Sequence, residues 1–143
     1  MRLLIVLMLV WGNLALAEIP EQLKAADLIQ AQLQEHNAAE LQTKLEIAEA
    51  LAESAERQSK GPIVFVLDGA EVQLFLHQHY REQKTLVDLA SRLAAFGYVE
   101  LKVGKNYLDG NALSAKELPS FFTYVANAAA EKVQLEQAGY ISF

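Results

Sequence analysis

The segment Ile63-Val64-Phe65-Val66-Leu67 has no polar position, is entered through Lys60-Gly61-Pro62 and is closed by Asp68-Gly69. Successive side chains of a strand point to opposite faces, so an uninterrupted β-branched and aromatic run buries both of them. Such a run suits a central parallel strand covered by helices on each side, and it constrains the fold more than any other segment. The sequence downstream agrees. Residues 70–82 carry helical periodicity, with Val72, Phe75, Leu76, His79 and Tyr80 on one face. A second helix from Thr85 to Phe96 presents Leu86, Val87, Ala90, Leu93 and Ala94, and Gly97 caps it. Tyr98 to Val103 alternates Val99, Leu101 and Val103 with polar partners, which predicts a strand with one wetter face ending at Gly104. Lys105 to Leu108 reads as a helical turn, Ser114-x-x-Glu117 as a capping box, and Phe121 to Val125 as a third strand. Ala128 to Ala138 is a helix closed by Gly139, followed by Tyr140 to Phe143 as a short terminal strand. Strands alternating with helices predict an α/β fold with a mainly parallel sheet, right-handed crossovers and helices on both faces.

Residues 18–60 differ in texture. They are rich in Ala, Leu, Gln and Glu, lack glycine and have Pro20 near the start. Leu23, Ala26, Ile29 (or Gln30) and Leu33 recur at helical spacing, the pattern breaks at His36-Asn37, and Asn37 with Glu40 forms a capping-box-like start for a second helix. The expectation is a helical arm. Its alanine-rich stripe of Leu41, Leu45, Ala48, Leu51 (or Ala52) and Ala55 lies against its own domain or, on the functional reading, serves a protein partner or self-association.

Met1-Arg2, the apolar run Leu3 to Trp11 and Ala15-x-Ala17 before Glu18 make a tripartite secretory signal. The run is shorter than the roughly 20 residues needed to span a bilayer. The expectations are cleavage after residue 17, a periplasmic or secreted location, and no membrane-embedded segment in the mature chain. With 12 Lys+Arg against 18 Asp+Glu and a net charge of −6, phosphate neutralisation is unavailable and nucleic acid is not expected as a partner. The absence of cysteine excludes disulfides, thiol nucleophiles, persulfide carriage, iron–sulfur clusters and cysteine-based zinc sites.

Ligands of open parallel sheets bind beyond the carboxyl ends of the strands. That rule selects Asp68-Gly69-Ala70-Glu71, Gly104-Lys105-Asn106-Tyr107 and Ala126-Asn127-Ala128. The candidate ligand-binding residues are Asp68, Gly69, Gly104, Lys105, Asn106, Tyr107 and Asn127. Lys102 and Lys105 around Gly104 read either as a weak anion spot or as solvated surface charges. No Gly-rich phosphate fingerprint occurs, so nucleotide binding is unsupported. His77 and His79 lie two apart and point in opposite directions on a helix, and His36 is remote in sequence, so no metal is called for. No nucleophile elbow occurs, and Asp68 and Glu71 suit helix-start acids, which leaves no catalytic assignment. Phe65, Phe75, Tyr80, Phe96, Phe121 and Phe122 fit core positions, so no cofactor is required to explain them.

From Gly61 onward the chain resembles the exported branch of the DsrE/DsrF-like family of small sulfur-relay proteins. The resemblance rests on Pro62 to Leu67 with its x-Gly turn, Leu86 to Ala90, Leu93 to Gly97, Val99 to Val103, Leu118 to Phe121, Ala130-Glu131 and Gly139-Tyr140. It implies a flavodoxin-like parallel sheet over 61–143 and a homo-oligomer. The relatives carry a His-Gly turn where this chain has Asp68-Gly69 and a reactive cysteine where it has Gly104. Their Pro-Tyr-Gly-Pro-like stretch is replaced by Ala126 to Ala129, and their first strand is absent or overwritten by the arm. The resemblance therefore implies an exported, non-catalytic DsrE-like protein that binds a partner or small ligand, in a sulfur-metabolism context. The alternative is a sulfur-handling or other enzyme component working noncovalently at the rim, with Asp68 as base and Lys105 or Tyr107 as helpers.

Overall fold

The computed structural model describes residues 19–57 and 60–143, and the expected signal peptide at 1–17 lies outside the described residues. Pro20, at φ −60°, opens a one-turn helix α1 (Glu21–Ala25), as its fixed φ favours. The chain then becomes a strand, β1 (Ile29–Ala31), buried at every position. This corrects the first of the two helical stretches expected in the arm, over Leu23 to Leu33. Leu23, Ala26, Ile29 and Leu33 keep helical spacing, but Ile29 and Ala31 also alternate. Pairing on both sides of β1 satisfies more backbone groups than one more helical turn would. A first strand is present within the stretch read as helical.

Helix α2 (Ala38–Glu53) starts where Asn37 accepts the Glu40 N–H at 2.8 Å. Its stripe of Leu41, Leu45, Ala48 and Leu51 is buried in the chain's own core, so the arm packs on its domain. Strand β2 (Ile63–Leu67) is buried on both faces, as its composition requires. The expected helix over 70–82 is instead two 3₁₀ segments, Ala70–Phe75 and His77–His79, separated by Leu76 at ψ 137°. Tyr80 therefore leaves the core, 41% exposed, and donates its hydroxyl to Asp88 at 2.7 Å. Phe96, expected inside, is 60% exposed beside Tyr98 at the end of helix α3 (Lys84–Ala95). Strand β3 (Val99–Gly104) alternates as predicted, with Glu100 and Lys102 partly exposed. Helix α4 (Lys105–Gly110), the Ser114–Glu117 capping box, strand β4 (Phe122–Val125), helix α5 (Ala128–Gln137) and strand β5 (Ile141–Ser142) complete the order.

All strand pairs are parallel, in the order β4-β3-β2-β1-β5. The result is an α/β, flavodoxin-like arrangement. Connections from β1 through β4 step in one direction, so right-handed crossovers put α2 and α3 on one face. There Ile29, Ile63, Phe65, Leu67, Leu101 and Val103 meet Leu41, Leu45, Leu86, Ala90 and Leu93 in a continuous core. The return from β4 to β5 crosses the opposite face, where Val64 and Val66 pack on Ala128 and Leu135 of α5. Parallel pairing gathers the loops after β1, β2, β3 and β4 at one rim, and only the loop after β4 crosses to the opposite face, so the direction of the connections changes between β3 and β4.

Candidate functional site at the carboxyl rim

The loop from β1 to α2 is organised by Glu40, whose carboxylate accepts the backbone N–H groups of Gln34, Glu35 and His36 at 2.9–3.0 Å. Burial raises its pKa, but those N–H donors outweigh burial and hold the carboxyl below the ordinary glutamate value. The expected capping box is thus half altered: Asn37 caps α2, and Glu40 ties down the loop rather than Asn37. His36 is held at φ 55°, a left-handed conformation uncommon outside glycine. Its side chain is delivered over the end of β2.

There it meets Glu71, which is fully buried. Glu71 Oε1 accepts the N–H groups of Asp68 at 3.0 Å and Gly69 at 3.1 Å, while Oε2 lies 2.8 Å from His36 Nδ1. Glu71 does cap the first turn, as its spacing suggested, and it also grips the histidine. Gly69 is needed here, because a Cβ would stand 2.5 Å from His36 Nδ1 and 2.8 Å from Glu71 Oε2. Asp68 Oδ2 pairs with Lys132 of α5 at 2.8 Å. Asp68 Oδ1 is buried, has no hydrogen-bond partner among the described residues, and lies 3.9 Å from His36 Nδ1. One ligand-type atom from each of His36, Asp68 and Glu71 lies within 4.8 Å of the other two. Separation in sequence had set His36 aside, yet parallel pairing of β1 with β2 puts the loops that follow them side by side.

The third and fourth loops are built differently. Asn106 Oδ1 accepts the Ala128 N–H at 3.2 Å, and Asn127 caps α5 by accepting the Ala130 N–H at 3.0 Å. Both expected ligand residues therefore hold helix ends. At Gly104 a Cβ would stand 2.3 Å from Asn106 Oδ1 and 2.9 Å from the Ala128 backbone, so the α5 start closes over it. Tyr107 takes a hydrogen bond from Gln73 at 3.0 Å. Lys105 is exposed, but Lys102 pairs with Glu131 at 2.7 Å, so the two lysines do not form a common anion spot. Burial disfavours the Lys102 charge, yet Glu131 and Glu100 outweigh it and raise the pKa. His77 and His79 sit on a 3₁₀ segment away from this cluster.

Of the expected residues, the rim brings Asp68 and Gly69 into one polar cluster and assigns Gly104, Asn106 and Asn127 to packing and capping. The sequence reading missed His36 as a member, and Lys132 altogether. One signal for His36 was present: Asn37 and Glu40 anchor a helix at the point where the chain leaves β1. A groove of about 640 Å³ lies elsewhere, along β5 between α1 and α2, with Leu23, Ile47, Ile141 and Phe143 in its lining. It contains none of the rim residues and offers hydrophobic contact, not chemistry. No helix among the described residues is long and apolar enough to cross a membrane.

The architecture is similar to a solved protein of unknown function, MTH1491 from Methanobacterium thermoautotrophicum, with a TM-score of 0.58 at 16% identity over 81% of this chain and 94% of that one. At that identity the likeness establishes the fold alone. No known protein family and no curated protein matches the chain.

Proposed function

We propose that this α/β chain is an exported, DsrE-like binding protein that lacks cysteine-based sulfur carriage and takes a small ligand at the carboxyl rim of its sheet. The observation that carries this reading is the fully buried Glu71 carboxylate gripping His36 beside Asp68. Removing a carboxylate from water costs several kcal/mol, whereas an exposed helix-start acid would stabilise the turn without that cost. What burial adds is a fixed imidazole at the carboxyl rim. The closure of α5 over Gly104 supports the loss of covalent sulfur chemistry, since a cysteine side chain there would collide with Asn106 and Ala128. The rival in which Asp68 is a general base is less well supported, because Lys132 holds that carboxylate and Gln73 holds Tyr107.

Native mass spectrometry of the chain, expressed as residues 1–143 in a bacterial host and purified in chelator, tests the proposal. The expected species starts at Glu18, carries a stoichiometric organic adduct, and loses the adduct in His36→Ala while circular dichroism keeps its α/β signature. Bare protein, or an adduct indifferent to His36→Ala, overturns ligand binding at the rim. A mass retaining residues 1–17 overturns cleavage and export. Subunit number, read in the same spectrum, tests the expected self-association.

A further inference from the structure

We propose that His36, Asp68 and Glu71 form a binding site for one divalent transition cation of the zinc type, an inference that rests on reading the rim as a binding site. The donor set is mixed, one imidazole nitrogen and two carboxylates, which suits zinc or cobalt better than the oxygen-only shells of calcium and magnesium. Two carboxylates offset a doubly positive ion, and the Lys132 ammonium paired with Asp68 leaves one positive charge for an anionic further ligand. The decisive feature is a mismatch among the three side chains. A proton on His36 Nδ1 serves Glu71 Oε2 at 2.8 Å but leaves Asp68 Oδ1, 3.9 Å away and shielded from solvent, with no partner among the described residues. A cation in the proton's place satisfies all three atoms.

The adjustment differs along the three sides of the donor triangle, all of which are 4.8 Å or shorter. Ligands about 2.0–2.2 Å from a tetrahedral zinc lie roughly 3.3–3.6 Å from one another. The His36–Glu71 distance then opens by about half an ångström, and the His36–Asp68 distance closes by a similar amount. The rest of the shell is already positioned: Glu71 Oε1 is held by two backbone N–H groups, and Asp68 Oδ2 by Lys132. Such outer hydrogen bonds orient metal-binding carboxylates. Three protein ligands leave a coordination position open, which a small anionic ligand entering the rim would fill.

The test is isothermal titration of zinc chloride into the chelator-treated, dialysed chain, with cobalt(II) absorption as a report of ligand field. One equivalent should bind, with tetrahedral cobalt bands, and His36→Gln and Asp68→Asn should each weaken binding at least tenfold. A His77→Ala, His79→Ala control should bind like the parent. Glu71→Gln is a less secure probe because its carboxyl is buried, so the two partly exposed positions carry the test. No uptake, or equal affinity in parent, His36→Gln and Asp68→Asn, overturns the site. An organic adduct retained by a chain that takes up no zinc overturns this inference and leaves the binding-protein reading standing. Zinc uptake lost in both variants, from a chain with no organic adduct, does the reverse.

Discussion

The two faces of the sheet are stabilised by different physics. Against α2 and α3, Ile63, Phe65, Leu67, Leu101 and Val103 join a continuous apolar core, and the burial of hydrocarbon dominates. Against α5 the apolar cluster shrinks to Val64, Val66, Ala128 and Leu135. Ion pairs of Lys102 with Glu131 and Lys132 with Asp68 surround it, and Gln30 of β1 is wholly buried with both amide atoms unpartnered among the described residues. Gln30 stands between Ile29 and Ala31 of the large core, so strand alternation turns it toward the α5 side. The difference shows where a single return helix leaves room for polar chemistry. Asp68 continues the α5-side row of β2, so one of the rim's charges is also part of the thin face.

Removing hydrocarbon should separate the faces most strongly. Phe65→Ala should cost about 3–5 kcal/mol and Leu135→Ala about 2–3 kcal/mol, measured by urea unfolding. Equal losses would mean that α5 is as much a core helix as α2 and α3.

Next in size is a gain. Gln30→Leu should raise stability by about 1–2 kcal/mol, because the amide is desolvated without return and the leucine has similar volume. A loss of stability would show that the amide has a partner, such as an ordered water, and that the thin face is better satisfied than its side chains indicate.

The smallest effect belongs to the Lys102–Glu131 pair, whose side chains are 15% and 17% exposed. A double-mutant cycle with Lys102→Met and Glu131→Gln should give a coupling near 1 kcal/mol. Because Lys102 has its pKa raised in the folded chain, its stabilisation is fully present below the ordinary lysine value of 10.5 and is lost as pH rises through the higher folded value. Stability of the parent should therefore fall in that alkaline window more than that of Lys102→Met. Identical alkaline limbs would remove electrostatics from the account of this face.

Much of the architecture was legible because it follows from local rules. Ile63 to Leu67 could only be a doubly buried strand, the alternation of Val99, Leu101 and Val103 marked the wetter face of β3, and the positive φ of Gly97 and Gly139 falls where helix ends were read. The errors have one source, competition between local and distant partners. Ile29 to Ala31 lies in a helix-favouring block but gains paired backbone on both sides. Residues 70–82 are periodic enough for one helix, yet Leu76 interrupts them and Tyr80 turns out toward Asp88. The candidate site divided in the same way. Asp68 and Gly69 were found from their place at a strand end, whereas His36 and Lys132 lie 32 residues before and 64 after Asp68 and join it only through the sheet order.

The sequence by itself determined the alternating α/β order, the buried central strand, the helix caps and the absence of thiol chemistry, because each depends on side-chain identity and spacings of a few residues. Only the tertiary structure decided that β1 exists, that α5 closes Gly104, and that His36, Asp68, Glu71 and Lys132 share one rim. Those outcomes depend on which strands become neighbours, and parallel pairing joins segments whose separation along the chain carries no record of their contact.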